Sequence, residues 1–129
     1  MQPSKSVEAV LDEIISEEFG TDQRIKSVSI VSKTGLLIAG RSASDVRAET
    51  FSAMSAIMFS AAETTRKDII KDDLEKVVVF FKSSMVIIVE LSASLLIVAV
   101  AERDADQENI LQRMESVVDR SKTELTWLK

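Results

Sequence analysis

Apolar residues recur with helical spacing over residues 45–67, a long stretch without glycine or proline. On an ideal helix its larger apolar side chains fall on one broad face, which comprises Val46, Phe51, Met54, Ile57, Met58, Ala61 and Thr65. A face of this width is typical of a helix that packs on a sheet. The pattern therefore predicts a central helix that ends near Arg66 or Lys67, with Ser44 or Asp45 as its N-cap.

Phe59 departs from this face, because ideal helix geometry projects it roughly 140° from the middle of the stripe. The residues around Phe59 on the helix are small, namely Ala48, Ser52, Ser55 and Ala62. A large apolar side chain among small ones, on the face expected to point away from the protein's own core, predicts a contact with another polypeptide. The alternatives are a terminal segment folded over Phe59 and a single scattered apolar residue on the surface.

Two further amphipathic helices are predicted near the ends of the chain. The first covers residues 4–19 and ends at Gly20, since glycine accepts the left-handed conformation that follows a last helical turn. The second covers residues 106–128, and Asp104 or Asp106 can cap its N-terminus.

Five strands are predicted between these helices. In residues 25–32, Val28 and Ile30 lie on one face, whereas Ser27, Ser29 and Val31 lie on the other. The turn Lys33-Thr34-Gly35 then leads into a second strand over residues 36–39. Three more strands are predicted over residues 74–82, 85–91 and 95–101.

The last three strands carry apolar residues on both faces, which is typical of a sheet that helices cover on both sides. We therefore predict an α+β fold with three layers, α/β/α, around a five-stranded and mostly antiparallel sheet. The predicted order is α-β-β-α-β-β-β-α, within a single domain that spans residues 1–129.

The strand predicted over residues 74–82 starts a meander and can lie at an edge of the sheet. Its run Val77-Val78-Val79-Phe80-Phe81 has no proline or charge that would prevent pairing with another chain. Pairing of two copies across a two-fold axis would bring their central helices side by side. We therefore predict a homodimer, with interface residues Ala48, Ser52, Ser55, Phe59, Ala62, Val77, Val79 and Phe81.

Composition excludes several classes of function. The net charge of −5 argues against a nucleic-acid surface, which needs clustered lysine and arginine. The chain has no Cys and no His, so it lacks thiolate chemistry and the commonest general base. Its three glycines form no phosphate-binding loop. We expect no enzymatic activity and assign no catalytic residue, cofactor or metal ligand. The acidic residues at 72–75 and 104–108 are interpreted as a hydrated loop and a helix cap.

Residues 85–101 are apolar and nearly long enough to span a membrane. However, Glu90 and the sequence Ser92-Ala93-Ser94 interrupt them, so two buried strands explain the segment better than a membrane span. The N-terminus shows no apolar segment of a secretory signal, and a cytoplasmic protein is therefore expected.

Three segments carry a likeness to a known family, namely Val28-Ser29-Ile30-Val31-Ser32-Lys33-Thr34-Gly35-Leu36-Leu37-Ile38-Ala39, Phe51-Ser52-Ala53-Met54-Ser55-Ala56-Ile57-Met58, and the three-strand run that ends at Ala101. Through these segments, and over about residues 5–120, the sequence resembles the roadblock/dynein light chain family. It departs from the family at Thr34, where an acidic residue often stands, and at Lys26-Ser27, where a glycine often precedes the first strand.

This resemblance implies a homodimer or heterodimer with a sheet that continues across the edge strands and with paired central helices. It also implies a platform for small Ras-like GTPases, and some bacterial members stimulate GTP hydrolysis by their partner. The expected partners are thus a second copy, a small Ras-like GTPase, or another roadblock-type chain.

Two further hypotheses concern individual residues. An arginine finger for a partner GTPase could come from Arg41, Arg47 or Arg66, which flank the central helix, although the sequence favours none of them. The alternative function is a small-molecule sensor, in which Met54, Met58 and Met85 would line a pocket. A fluorescence change at the single tryptophan, Trp127, would report such a ligand.

Overall fold

The computed structural model describes residues 6–42 and 47–125. Within these ranges the chain forms three α-helices and five β-strands in the predicted order. The helices are α1 (Val7–Phe19), α2 (Ala48–Thr65) and α3 (Gln107–Glu124), and a π-helical turn (Arg66–Ile70) continues α2. The strands are β1 (Ile25–Ser32), β2 (Leu37–Ser42), β3 (Val77–Phe80), β4 (Ser84–Glu90) and β5 (Leu95–Glu102).

The five strands form one sheet in the order β2-β1-β5-β4-β3, and every pair of neighbours is antiparallel. The edges are therefore β2 and β3, which confirms the edge position predicted for β3. This strand is shorter than the predicted segment 74–82, and β2 is longer than the predicted 36–39.

Helices cover both faces of the sheet, which confirms the predicted three-layer α+β fold. One core forms where α1 and α3 pack on the sheet, with Leu11, Met114 and Ile30 among its fully buried side chains. A second core forms under α2, where Phe59 packs with Val31, Val86, Ile88, Leu96 and Val98. As predicted from their alternation, Val28 and Ile30 of β1 point into the first core and Val31 points into the second.

Local capping follows the sequence at α1 and α3. The Ser6 hydroxyl accepts a hydrogen bond from the Ala9 N–H, and Gly20 ends α1 with a φ of 55°. The Asp106 carboxylate accepts a hydrogen bond from the Asn109 N–H at 3.2 Å, which confirms the cap predicted there. The helix α3 ends at Glu124, and residues 126–129, which include Trp127, lie outside the described residues.

Ion pairs join α1 and its following turn to α3. Arg120 donates to the carboxylates of Glu17 and Glu18 at 2.9 and 3.0 Å, while Arg113 donates to Asp22 at 3.0 Å. The pKa of Asp22 lies below its usual value, because the backbone N–H of Arg24 and the guanidinium of Arg113 both donate to its carboxylate. These contacts keep the two helices together on one face of the sheet.

The orientation predicted for α2 is wrong. Phe59 is only 4% exposed, and Ser52 and Ser55 are also buried against the sheet. The residues predicted to face the sheet are half-buried (Phe51, Met58) or exposed (Met54, Ile57, Ala61, Thr65). The helix begins at Ala48 with Arg47 as N-cap, and the predicted caps Ser44 and Asp45, like Val46, lie outside the described residues.

The physical reason is that α2 carries apolar residues on two faces, and the sheet accepts the face with smaller side chains. Ser52, Ser55 and Ala56 let the helix approach closely and leave Phe59 to fill the space over the sheet. The turn after β1 also packs closely against α2, since a Cβ on Gly35 would lie 3.3 Å from the Cα of Ala53. Helical periodicity alone could not decide between the two faces.

No helix among residues 6–42 and 47–125 is both long and apolar enough to cross a bilayer. The apolar segment 85–101 instead forms most of β4 and β5, as predicted.

Candidate protein-binding surface

The outer side of α2 and the end of β3 expose three large apolar side chains. Met54, Ile57 and Phe81 are 48%, 60% and 54% exposed. Ile57 lies one turn after Met54 on the same side of α2, and Met54 and Phe81 line a common groove. We call these three residues the apolar face. An exposed cluster of this kind is typical of a protein-binding surface.

The groove lies between the first turns of α2 and the β3–β4 hairpin, and we call it the α2–β3 groove. Its volume is about 700 Å³, and its apolar walls comprise Phe51, Met54, Phe81, Val86 and Val100. Arg47 and Lys82 also line it and are exposed, and neither pairs with a carboxylate among the described residues. The groove thus combines apolar walls with two exposed, positively charged side chains.

The edge strand β3 lies beside this surface. Its residues pair with β4 from Val77 opposite Ile88 to Phe80 opposite Met85, and no described strand lies on its other side. Its backbone therefore offers hydrogen-bonding groups to an added strand. The neighbouring Phe80 belongs to the opposite face of the sheet, where the Arg103 guanidinium lies 4.1 Å from the centre of its ring.

The residues predicted for the interface separate into two groups. Val77, Val79 and Phe81 lie at the open edge, where a partner strand would meet them, and their contact with a partner stays a prediction. The helical group does not lie on the apolar face. It comprises the half-buried Ala48 and Ala62 and the buried Ser52, Ser55 and Phe59.

Sequence reasoning missed Met54 and Ile57 as surface residues, because it assigned them to the protein's own core. The available signal was that a helix with apolar residues on two faces needs two partners, and the sheet can cover only one face.

The buried Ser52 needs no partner outside α2. Its hydroxyl donates to the carbonyl oxygen of Ala48 at 2.7 Å, so this serine is satisfied within the helix.

The three candidate arginines differ in their surroundings. Arg41 donates to the carbonyl oxygens of Gly20, Asp22 and Ile25, which gives it a structural role. Arg66 pairs with Glu63 at 2.7 Å. Arg47 remains the one of the three whose side chain faces the groove with no partner among the described residues.

The three methionines do not line one pocket, so that prediction is wrong. Met85 is buried in the core under α1 and α3, on the opposite side of the sheet from Met54. Met58 is half-buried between α2 and the sheet, and only Met54 lines the α2–β3 groove. Across residues 6–42 and 47–125, no three carboxylate, His or Cys side chains are grouped so as to hold a metal ion.

Comparisons with known proteins identify sequences and structures that this chain resembles. The family model of the Roadblock/LC7 domain matches residues 11–101. The protein MJ0714 of Methanocaldococcus jannaschii is 32% identical over 92 residues, which cover 71% of this chain and 77% of that protein.

Two solved structures show the same fold. The Roadblock/LC7 domain from Streptomyces avermitilis has a TM-score of 0.78 at 18% identity, covering 89% of this chain and 97% of that one. Myxococcus xanthus MglB also has a TM-score of 0.78, at 14% identity, and the match covers 98% of this chain and all of MglB (100%).

Proposed function

This chain belongs to the Roadblock/LC7 family, and from that premise we propose that it is a cytoplasmic, non-enzymatic adaptor that forms a homodimer and binds a small Ras-like GTPase. In the fuller form of the proposal, binding stimulates GTP hydrolysis by the partner. The observation that carries the proposal is the open, uncharged edge strand β3 beside the apolar face of α2.

Dimer formation would solve two physical problems of this surface together. Antiparallel pairing of two β3 strands would satisfy backbone groups that lack a neighbouring strand. The same two-fold axis would bring two α2 helices together and remove Met54 and Ile57 from water. Full burial of one exposed side chain of this size contributes about 1.5–3 kcal/mol, and Met54 and Ile57 are already about half covered, so each would add roughly half of that.

A GTPase partner is supported by family membership, and the paired α2 helices would provide the surface that it meets. Among the described residues, no group of carboxylate, His or Cys side chains could hold a metal ion. An effect on hydrolysis would therefore come either from the partner's own catalytic groups or from an arginine that this chain supplies in trans. Arg47 is the described arginine best placed to reach a bound protein from the groove.

The α2–β3 groove favours a second candidate, a sensor of an apolar small molecule. Its volume of about 700 Å³ is sufficient for such a ligand. The groove is, however, open beside the apolar face, and only one of the three methionines considered lines it. A ligand in this groove would compete with the proposed dimer contact, so the two functions can be separated by experiment.

The test compares the wild type with Ile57→Asp by light scattering. We expect a wild-type dimer and a dissociation constant at least 100-fold higher in the variant, because a carboxylate replaces an apolar contact near the proposed axis. Ile57 is 60% exposed, so the variant should keep the thermal stability of the folded chain. Phe59→Asp is unsuitable, since it would place a charge in the protein's own core.

Both proteins are then mixed with purified small Ras-like GTPases from the same genome. We expect binding of one GTPase that depends on whether GTP or GDP is bound, with a weaker complex for Ile57→Asp. Hydrolysis is followed as phosphate release. The proposal would be contradicted if the wild type stays monomeric at high concentration. It would also be contradicted if the dimer binds none of the GTPases in either nucleotide state.

A further inference from the structure

Two isoleucines are exposed on the π-helical turn (Arg66–Ile70) that continues α2. Ile69 is 75% exposed and Ile70 is 63% exposed, which makes them more exposed than any side chain of the apolar face. They are next to each other, and no described element covers them. Two adjacent large aliphatic side chains in water are unfavourable, and a partner surface would remove that cost.

The α2–β3 groove and the π-helical turn lie at opposite ends of α2. The first turns of α2 lie beside residues 81–84, which follow β3. The end of α2 lies beside residues 73–75, which precede β3, as Glu63 and Arg66 share a surface depression with Asp73. The helix and the strand therefore run in opposite directions.

In the proposed homodimer, a two-fold axis through the β3 edge would relate these two ends. Two copies of β3 that pair across such an axis are antiparallel, so the start of one strand lies opposite the end of the other. The groove lies at the end of β3, and the π-helical turn precedes its start. The axis thus brings the turn of one copy toward the groove of the other, twice in each dimer.

The charges around the two surfaces are compatible with this contact. Arg47 and Lys82 line the groove, with no carboxylate partner among the described residues. Asp68, Asp72 and Asp73 flank the isoleucine pair and are exposed. Lys67 and Lys71 also lie there, so the match is one of local pairs and not of net charge.

We propose that Ile69 and Ile70 of a second copy occupy the α2–β3 groove, so that each protomer fills the groove of its partner. This inference rests on the proposed function, because it requires the homodimer. It adds the occupant of the groove: the aliphatic pair contacts the walls formed by Phe51, Met54 and Phe81, and the flanking carboxylates meet Arg47 and Lys82.

Because the chain contains no Cys, engineered cysteines provide a direct test. Thr50 is exposed and lines the α2–β3 groove. One protein carries Thr50→Cys, and a second, mass-tagged protein carries Ile70→Cys. After the two are mixed and subunits exchange, a short bismaleimide should join tagged to untagged chains, and neither variant alone should form a covalent dimer. The matched control replaces Thr50→Cys with Leu36→Cys, which is 66% exposed on the β1–β2 turn and should give no cross-link.

A second variant measures the contribution of the contact. Ile69→Ser with Ile70→Ser should raise the dimer dissociation constant at least tenfold, with unchanged thermal stability of the monomer, because both side chains are exposed there. An unchanged constant would overturn the inference.

The outcomes separate this inference from the proposed function. A dimer by light scattering that gives no Thr50–Ile70 cross-link would overturn the inference and leave the homodimer in place. The groove would then be available to a GTPase or to an apolar small molecule. A wild type that is monomeric would overturn both.

Discussion

The two edge strands of the sheet, β2 and β3, differ in the hydrogen-bond partners on their outer sides. At β2 the chain shields the edge with its own residues, since the Gly40 N–H donates to the Asp12 carboxylate of α1 at 2.8 Å. At β3 the backbone has β4 on one side and no described strand on the other. Among the described residues, the outer side of β2 thus has a hydrogen-bond partner from α1, whereas the outer side of β3 has no neighbouring strand.

Side chains reinforce the difference. Arg41 of β2 donates hydrogen bonds to the carbonyl oxygens of Gly20 and Asp22, which follow α1, and of Ile25, which begins β1. These bonds join β2 to the segment between α1 and β1. Residues of β3 are all apolar, and Phe81 beyond it is exposed. Since natural sheets usually protect their edges, an apolar edge beside an exposed helix face fits the proposed dimer, in which a second chain would cover both.

Gly40→Ala should produce the largest effect, at the shielded edge. A Cβ at this position would lie 2.3 Å from the Val28 carbonyl oxygen, and the φ of 140° is unfavourable for alanine. We expect a loss of about 3 kcal/mol in the free energy of unfolding, measured with urea. In the control Gly20→Ala, the new Cβ meets nothing within 4 Å, so only the backbone strain of alanine at φ 55° and ψ −131° remains, and about 1–2 kcal/mol should be lost. Equal losses of unfolding free energy in the two variants would show that the close approach of Gly40 to the Val28 carbonyl oxygen does not require a glycine.

Phe81→Asp should produce the next effect, at the open edge. Phe81 lines the groove and is 54% exposed, so a carboxylate there should weaken association without unfolding the chain. We expect the dimer dissociation constant to rise about 10–30-fold, which is equivalent to roughly 1.4–2 kcal/mol. Sedimentation velocity measures it. Leu36→Asp is the control, because Leu36 is 66% exposed on the β1–β2 turn, away from β3. An equal rise in the dissociation constant there would contradict the assignment of the interface to the open edge.

Asp12→Ala should produce the smallest effect. It removes the acceptor of the Gly40 N–H, and because this hydrogen bond is exposed we expect a loss of about 1 kcal/mol in the free energy of unfolding. Asp12→Asn keeps an acceptor oxygen and should lose less. The dimer dissociation constant should remain that of the wild type in both variants. A change in association would show that the β2 edge also takes part in self-association.

Much of the fold could be predicted because its signals are local. The alternation of Val28 and Ile30 against Val31 predicted the two faces of β1, and the start of a meander predicted the edge position of β3. The candidate surface was harder to predict. The edge residues were identified correctly as edge residues, whereas the helical part was assigned to the wrong side of α2.

The sequence by itself determined the order of the helices and strands, the end of α1 at Gly20, the choice of Asp104 or Asp106 as the cap of α3, and the position of Phe59 off the main apolar face of α2. These features depend on residues close together in the chain. Only the tertiary structure decided which face of α2 meets the sheet, because that choice depends on how closely Ser52, Ser55 and Ala56 can approach distant strands. It also decided that Asp12 accepts a hydrogen bond from the Gly40 N–H at the β2 edge, because these residues are 28 positions apart in the chain.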